Sequence, residues 1–283
     1  MRLVFMAILI LVSVSSYAFA SEEIYLALSR GKLQGTLELP RGIENPPVAL
    51  IIAGSGPTDR NGNSYLTRND NLKLLAEALA NNGIASLRYD KRGIGGSKSA
   101  ETPEAELRFD HLIDDAVLWG EYLRKTKRFS KLIIIGHSEG ALIGGAAVLK
   151  LKPDAYISLA GAGRPIYEII EEQLSNAPAF LPEAQSIIAS LKKGQLVEKV
   201  SPELAAIFRP SIQPYAISWF SYNPSEVVKQ IKTPMLIIHG TNDIQINLKD
   251  AKQVSNANKN ATLKIFDGMN HLLKDVPLDM QKQ

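Results

Sequence analysis

The residues best suited to covalent chemistry form Gly136-His137-Ser138-Glu139-Gly140, a G-x-S-x-G between the β-branched run Leu132-Ile133-Ile134-Ile135 and the small, helix-compatible stretch Ala141 to Leu151. A serine nucleophile on a strand-to-helix turn must expose its hydroxyl, and glycines two positions to either side let the neighbouring backbone pass without clash. Taken alone, the same five residues also describe a glycine-rich turn that packs a helix on a strand. The strand before and the helical segment after favour the nucleophile. A serine hydroxyl needs a base, and the base needs an acid to hold its tautomer. There are four histidines: His137 within the turn, His111 inside a predicted helix, His239 at the end of a predicted strand and pointing into packing, and His271 in Gly268-Met269-Asn270-His271. His271 is the candidate base. Asp243, in His239-Gly240-Thr241-Asn242-Asp243, is the candidate acid, with Asp267 as a rival that lies close to His271 in the same loop. A lone Asp after a glycine is usually a turn former and a lone His a satisfied polar group; Ser138, Asp243 and His271 in that order, each after its own strand, favour a triad. Two backbone donors must hold the oxyanion of a tetrahedral intermediate. The candidates are the amides of Glu139, next to the nucleophile, and of Ser55 in Gly54-Ser55-Gly56-Pro57, where the glycines let the loop turn inward.

Those residues need a scaffold that delivers strand ends to one place. Ile24 to Leu28 and Lys32 to Leu39 flank Ser29-Arg30-Gly31 and read as an antiparallel hairpin. Val48 to Ala53, Ile84 to Tyr89, Lys131 to Ile135, Ala155 to Ala160, Pro234 to His239 and Thr262 to Phe266 read as six further strands. Asn71 to Asn82 has Leu72, Leu75, Ala76 and Leu79 at helical spacing, and Phe109 to Lys125 has Leu112, Ala116, Trp119 and Leu123 on one stripe. Strands alternating with helices predict an α/β class, a mostly parallel, doubly wound sheet covered on both faces. From about residue 165 to 225 the rhythm breaks into amphipathic helical patterns with prolines, read as a helical cap inserted over one end of the sheet. Its aromatic residues Phe180, Phe208, Tyr215, Trp219, Phe220 and Tyr222 either line an acyl pocket or form the cap's own core.

The chain has 283 residues, 45% of them hydrophobic, which excludes disorder and allows one large core. A formal charge of +3, evenly scattered, gives no basic stripe for nucleic acid. The absence of cysteine removes thiol nucleophiles, disulfides and thiolate metal sites. Asp59-Arg60-Asn61-Gly62-Asn63 opens like a calcium loop, but Ser64 stands where the sharp-turn glycine belongs and Asp70 where a bidentate Glu is needed. No metal and no cofactor is expected. Residues 1–20 read as a signal peptide: Arg2, the apolar run Leu3 to Val14 and the A-x-A site Ala18-Phe19-Ala20 precede Ser21, and the run is shorter than the ~20 residues that span a bilayer. The expected mature chain, 21–283, is one exported domain without a stable membrane span, periplasmic in a diderm bacterium.

Several blocks then carry a resemblance: Gly54 to Gly62, Arg88-Tyr89-Asp90-Lys91-Arg92-Gly93-Ile94-Gly95-Gly96-Ser97, the serine turn, Gly240 to Asp243, and Asn270-His271. Across about Val48 to His271 the chain resembles the α/β-hydrolase superfamily, in particular secreted bacterial esterases of the dienelactone-hydrolase and serine-aminopeptidase-like branch. The resemblance implies an acyl-enzyme route on a small-molecule ester or acyl substrate, and a bracing role for the Asp and Arg of Asp90 to Ser97. Esterase, thioesterase and peptidase activities share this scaffold, and a binding scaffold without catalysis is the non-enzymatic alternative. The chain departs from the pattern twice. Ala53 stands where a histidine usually precedes the first oxyanion glycine. After His271 only Leu272 to Gln283 follow, so the C-terminal helix usual in this fold is expected to be missing.

Overall fold

A computed structural model describes residues 19–277. A hairpin opens the sheet: β1 (Phe19–Ala27) pairs antiparallel with β2 (Lys32–Pro40), and Gly31, with φ of 72°, supplies the left-handed residue that closes the turn. β2 lies antiparallel to β4 (Ala85–Tyr89). From there β3 (Val48–Ile52), β5 (Leu132–His137), β6 (Ala155–Leu159), β7 (Met235–Gly240) and β8 (Ala261–Phe266) continue in parallel, giving the order β1-β2-β4-β3-β5-β6-β7-β8. The chain steps outward from β3 to β4 and then returns past β3 to β5. In an open parallel sheet, such a reversal leaves a crevice at the carboxyl ends of the strands, where ligands bind.

β3 and β4 are buried at every position, which their unbroken apolar runs require when helices cover both faces. On one face α2 (Phe109–Lys125) and α3 (Glu139–Leu151) pack over Leu50, Leu87, Ile134 and Tyr156, with Phe109 and Trp119 fully enclosed. The α2 stripe Leu112, Ala116, Trp119 and Leu123 is the buried one. Each large side chain so enclosed contributes roughly 1.5–3 kcal/mol. α3 is buried almost all round, as a helix built of Ala, Gly, Leu, Ile and Val must be. On the other face α1 (Asn71–Asn81) sets Leu72 and Ala76 against Ala49, Ile51, Ile135 and Leu159. β8 is an exposed edge, with Ile265 and Phe266 in solvent. Among the described residues no helix follows it.

Five helices lie between β6 and β7: α4 (Ile166–Leu174), α5 (Leu181–Leu191), α6 (Ala205–Phe208), α7 (Gln213–Phe220) and α8 (Pro224–Gln230). They enclose a small core of Ile187, Ile188, Leu191, Leu204, Phe208 and Phe220, with Phe180 partly buried against it. The aromatic residues divide three ways: Phe180, Phe208 and Phe220 serve this core, Trp219 faces the cavity described below, and Tyr215 and Tyr222 pack in the main core beside Phe109.

Two differences from the sequence reading have physical reasons. α9 (Leu248–Ala257) is a helix the apolar pattern does not announce, because only Leu248, Ala251 and Val254 carry its inward face among Lys, Asp, Gln, Ser and Asn. β1 begins at Phe19, so Phe19 and Ala20 pair with Pro40 and Leu39. The remainder of the expected leader lies outside the described residues. No helix among the described residues is long and apolar enough to cross a membrane.

Candidate active site

Ser138 sits between β5 and α3 with φ of 56° and ψ of −120°, a conformation a non-glycine residue holds only when its surroundings impose it, at roughly 1–3 kcal/mol. Its N–H donates to the Leu159 carbonyl at 2.9 Å, which locks the turn to β6. The flanking glycines are sterically required. A Cβ on Gly136 would stand 2.1 Å from the Gly140 oxygen, and one on Gly140 would stand 2.4 Å from the Ile52 oxygen. The sharp turn lifts the serine hydroxyl to the carboxyl edge of the sheet.

The loops after β7 and β8, two and three strands along from β5, bring Asp243 and His271 into line with that hydroxyl. Ser138 Oγ lies 3.0 Å from His271 Nε2, and His271 Nδ1 lies 2.8 Å from Asp243 Oδ2. With Nδ1 protonated and donating to the carboxylate, Nε2 is left to accept the serine proton. Asp243 Oδ1 accepts the N–H groups of Gln245 and Ile246, both at 2.9 Å. Burial alone would push the Asp243 carboxyl up, but the hydrogen bond and charge of His271 and the Ile246 N–H hold it below the usual carboxylate range. Asp267, the rival, is exposed and accepts from the Thr241 hydroxyl at 2.9 Å.

The loop that carries His271 is fastened at several points. Asn242 donates to the Met269 carbonyl at 3.0 Å, and Asn270 Oδ1 accepts from Leu272 and Lys274 at 3.0 and 3.1 Å. A Cβ on Gly240 would stand 1.8 Å from the Met269 oxygen, so only glycine lets the two loops meet there. His137, read only as part of the turn, has a second contact: its Nε2–H donates to the His271 carbonyl at 2.8 Å. Burial first, and then the neighbouring His271, press its pKa down to about 4, so it is neutral at pH 7. His239 is buried as expected, its Nε2 3.0 Å from the Ile246 carbonyl and 3.7 Å from Asp243 Oδ2.

Ser138, His271 and Ser55 open onto a cavity of about 140 Å³, walled by Leu142, Ile169, Trp219 and Ile246 among others. The cation at its wall, Arg164, is already paired: Asp250 accepts from it at 2.8 and 3.0 Å, and Glu172 accepts a further short bond. Glu139, the carboxylate at the wall, is buried and faces inward, accepting from the Tyr215 hydroxyl at 2.6 Å and lying 3.5 Å from Lys91 Nζ. As the first residue of α3 it also keeps a backbone N–H with no helical partner. Sequence reading passes over Arg164 and takes Lys91 and Tyr215 only as members of a resemblance block and of the cap's aromatic set, since nothing in their local pattern shows which distant groups they meet. The calcium-like loop is held by its own side chain, with Asp59 Oδ1 accepting from Asn61 and Asn63 at 2.8 and 2.9 Å.

Comparison with known proteins bears on the family and the fold. Residues 68–227 match the family described as Hydrolase_4, serine aminopeptidase, S33. Esterase EstD of Thermotoga maritima is 27% identical over 265 residues, covering 89% of this chain; the chain spans 61% of that relative's length. Among solved structures, ferulic acid-bound Est1E from Butyrivibrio proteoclasticus superposes with a TM-score of 0.64 at 21% identity, covering 89% of this chain and 92% of that one. The esterase PF2001 of Pyrococcus furiosus gives 0.59 at 18% identity, covering 90% and 84%. At these identities the structural likeness shows the α/β-hydrolase fold.

Proposed function

Because this chain belongs to the serine aminopeptidase S33 family of α/β-hydrolases and is a hydrolase, we propose that it cleaves carboxylic esters of small, uncharged acyl groups through an acyl-enzyme. The observation that carries this reading is the cavity beside Ser138: it is small, Leu142, Ile169, Trp219 and Ile246 give it an apolar side, and the charged groups on its walls are committed to internal partners. A peptidase that anchors a free amino terminus needs an available carboxylate. Glu139, the carboxylate lining the cavity, is held by Tyr215 and Lys91.

In this reading His271 takes the Ser138 proton as Oγ attacks the ester carbonyl, and Asp243 stabilises the imidazolium that forms. The Ser55 and Glu139 amides receive the oxyanion. When the intermediate collapses, His271 passes the proton to the departing alcohol and leaves an acylated Ser138. Water repeats the sequence to release the acid. The leader-like residues 1–20 support export as the setting for this activity, to the periplasm in a diderm host.

The test is an acyl series of p-nitrophenyl esters beside aminoacyl anilides, with fluorophosphonate labelling of the serine. Acetate and butyrate esters are expected to be the best substrates, and Ser138→Ala should lose labelling and at least about 10³-fold of kcat. Preference for the anilides, or equal labelling of Ser138→Ala, would overturn the proposal.

A further inference from the structure

Ala53 offers no side chain that could brace the Gly54 to Pro57 loop, yet that loop must hold one amide fixed beside the nucleophile. The brace comes from the end of the adjacent strand. Lys91 follows β4 and is buried, and its Nζ donates to the Gly54 carbonyl at 2.6 Å and the Gly56 carbonyl at 2.7 Å. Its remaining direction meets Glu139 Oε2 at 3.5 Å. An ammonium has three protons and no acceptor; two of them go to the loop carbonyls, and its third side faces the Glu139 carboxylate at ion-pair distance.

The bond to Gly54 fixes more than the loop's position. In a trans peptide the C=O and the following N–H point in opposite directions. Holding the Gly54 oxygen toward Lys91 therefore turns the Ser55 N–H away from Lys91. The loop's other side is the Ser138 side: a Cβ on Gly54 would stand 3.2 Å from Ser138 Cβ, and Ser55 lines the same cavity as Ser138. The second anchor wastes no donor, because the residue after Gly56 is Pro57, which has no N–H. A cation on the carbonyl side also polarises the Gly54–Ser55 amide and strengthens its N–H as a donor. Tyr215 completes the circuit from the cap by donating to the other oxygen of Glu139. One buried group thus touches both of the segments that offer oxyanion donors, the Ser55 loop and the residue that begins α3.

We infer that Lys91 is the positioning residue of the oxyanion hole, orienting the Ser55 amide through the Gly54 and Gly56 carbonyls and tying it to Glu139. The inference rests on the ester-hydrolysis reading above. Burial pushes the Lys91 ammonium below its ordinary value, and the Glu139 carboxylate opposes that shift.

The test compares wild type with Lys91→Met on p-nitrophenyl butyrate, and measures inhibition by an aliphatic trifluoromethyl ketone, whose adduct with a serine carries the oxyanion. Lys91→Met is expected to lower kcat by about a hundredfold with little change in KM, and to weaken the ketone's Ki by a similar factor. A variant that merely loosens the fold would lose thermal stability and active fraction but keep the Ki of its active molecules. Lys91→Ala adds a second arm that does not depend on the fate of the first. Propylammonium, the fragment the truncation removes, should restore kcat saturably, and propanol should not. Retention of kcat within about threefold by Lys91→Met in an active wild-type background removes this inference alone. So does a Lys91→Ala variant indifferent to propylammonium. A wild type that neither turns over the ester nor reacts with fluorophosphonate removes the esterase reading with it.

Discussion

His137 shows how a side chain beside a nucleophile can govern stability as well as position. Its ordinary pKa is about 6.5 in an unfolded chain, and burial lowers it to about 4 in the fold. Between those values the unfolded chain takes up a proton that the folded one refuses, so stability rises with pH across that window and falls on acidification. From pH 7.5 to 4.5 the contribution lost is about 2 to 3 kcal/mol. Asp243 acts in a lower window: its depressed carboxyl contributes above its ordinary value near 3.9 and loses that contribution as pH falls through the folded value. Glutamine at position 137 can still donate to the His271 carbonyl but cannot take up a proton. Urea unfolding of His137→Gln at the two pH values should therefore show a shallower acid loss than wild type, and an equal loss would refute the assignment. At this scale the sequence is informative where chemistry restricts the choice of residue. With no cysteine and four histidines, Ser138, Asp243 and His271 stand out by their order and by each following its own strand, and their polar atoms lie within hydrogen-bond distance. The polar roles of Lys91 and Tyr215 are invisible because they depend on partners 37 and 76 residues away.

At the scale of elements, the site depends on backbones that approach more closely than side chains allow. The loop after β7 and the loop after β8 touch at Gly240 and Met269, and Asn242 crosses between them by its backbone N–H to Met269 and its side chain to Val276. Gly240→Ala must push the Met269 carbonyl, and with it the segment leading to His271. We expect a loss of about 1–3 kcal/mol in thermal or urea unfolding. At a temperature where the variant stays folded, kcat should fall more than KM changes; unchanged kcat would show that the loop absorbs the methyl without moving the ring. Strands and helices with concentrated apolar runs were legible, and α2 spans the residues its stripe indicates. α9 was not, because Leu248, Ala251 and Val254 stand among six polar residues and never form an apolar run. The ends of β5 and α3 were also blurred, since the residues at the serine turn obey the geometry of the turn and not the pattern of either element.

Across the whole molecule, the antiparallel hairpin is bound to the parallel sheet by charge as well as by backbone pairing. Arg88 on β4 and Glu38 on β2 form a buried ion pair at 2.9 Å, and Arg88 Nε also donates to Asn61 at 2.9 Å. Removing one partner strands the other in the interior, so Arg88→Met should cost about 3–5 kcal/mol in urea unfolding, and adding Glu38→Leu should recover much of that loss. A single variant as stable as wild type would place the pair in contact with water. The mostly parallel architecture follows from the alternation of strand and helix, but the order of strands rests on pairings that no local pattern encodes. That order has a consequence in time. The contact between Ser138 and His271 joins residues 133 apart, and the one between His271 and Asp243 joins residues 28 apart. Closing such loops is an entropic cost met only when β6, β7 and β8 have docked in turn. A chain that has folded only as far as β5 and α3 lacks both the β6 carbonyl that locks the Ser138 turn and the loop that carries His271. The proposed chemistry therefore has no assembled site until β6, β7 and β8 have all joined the sheet.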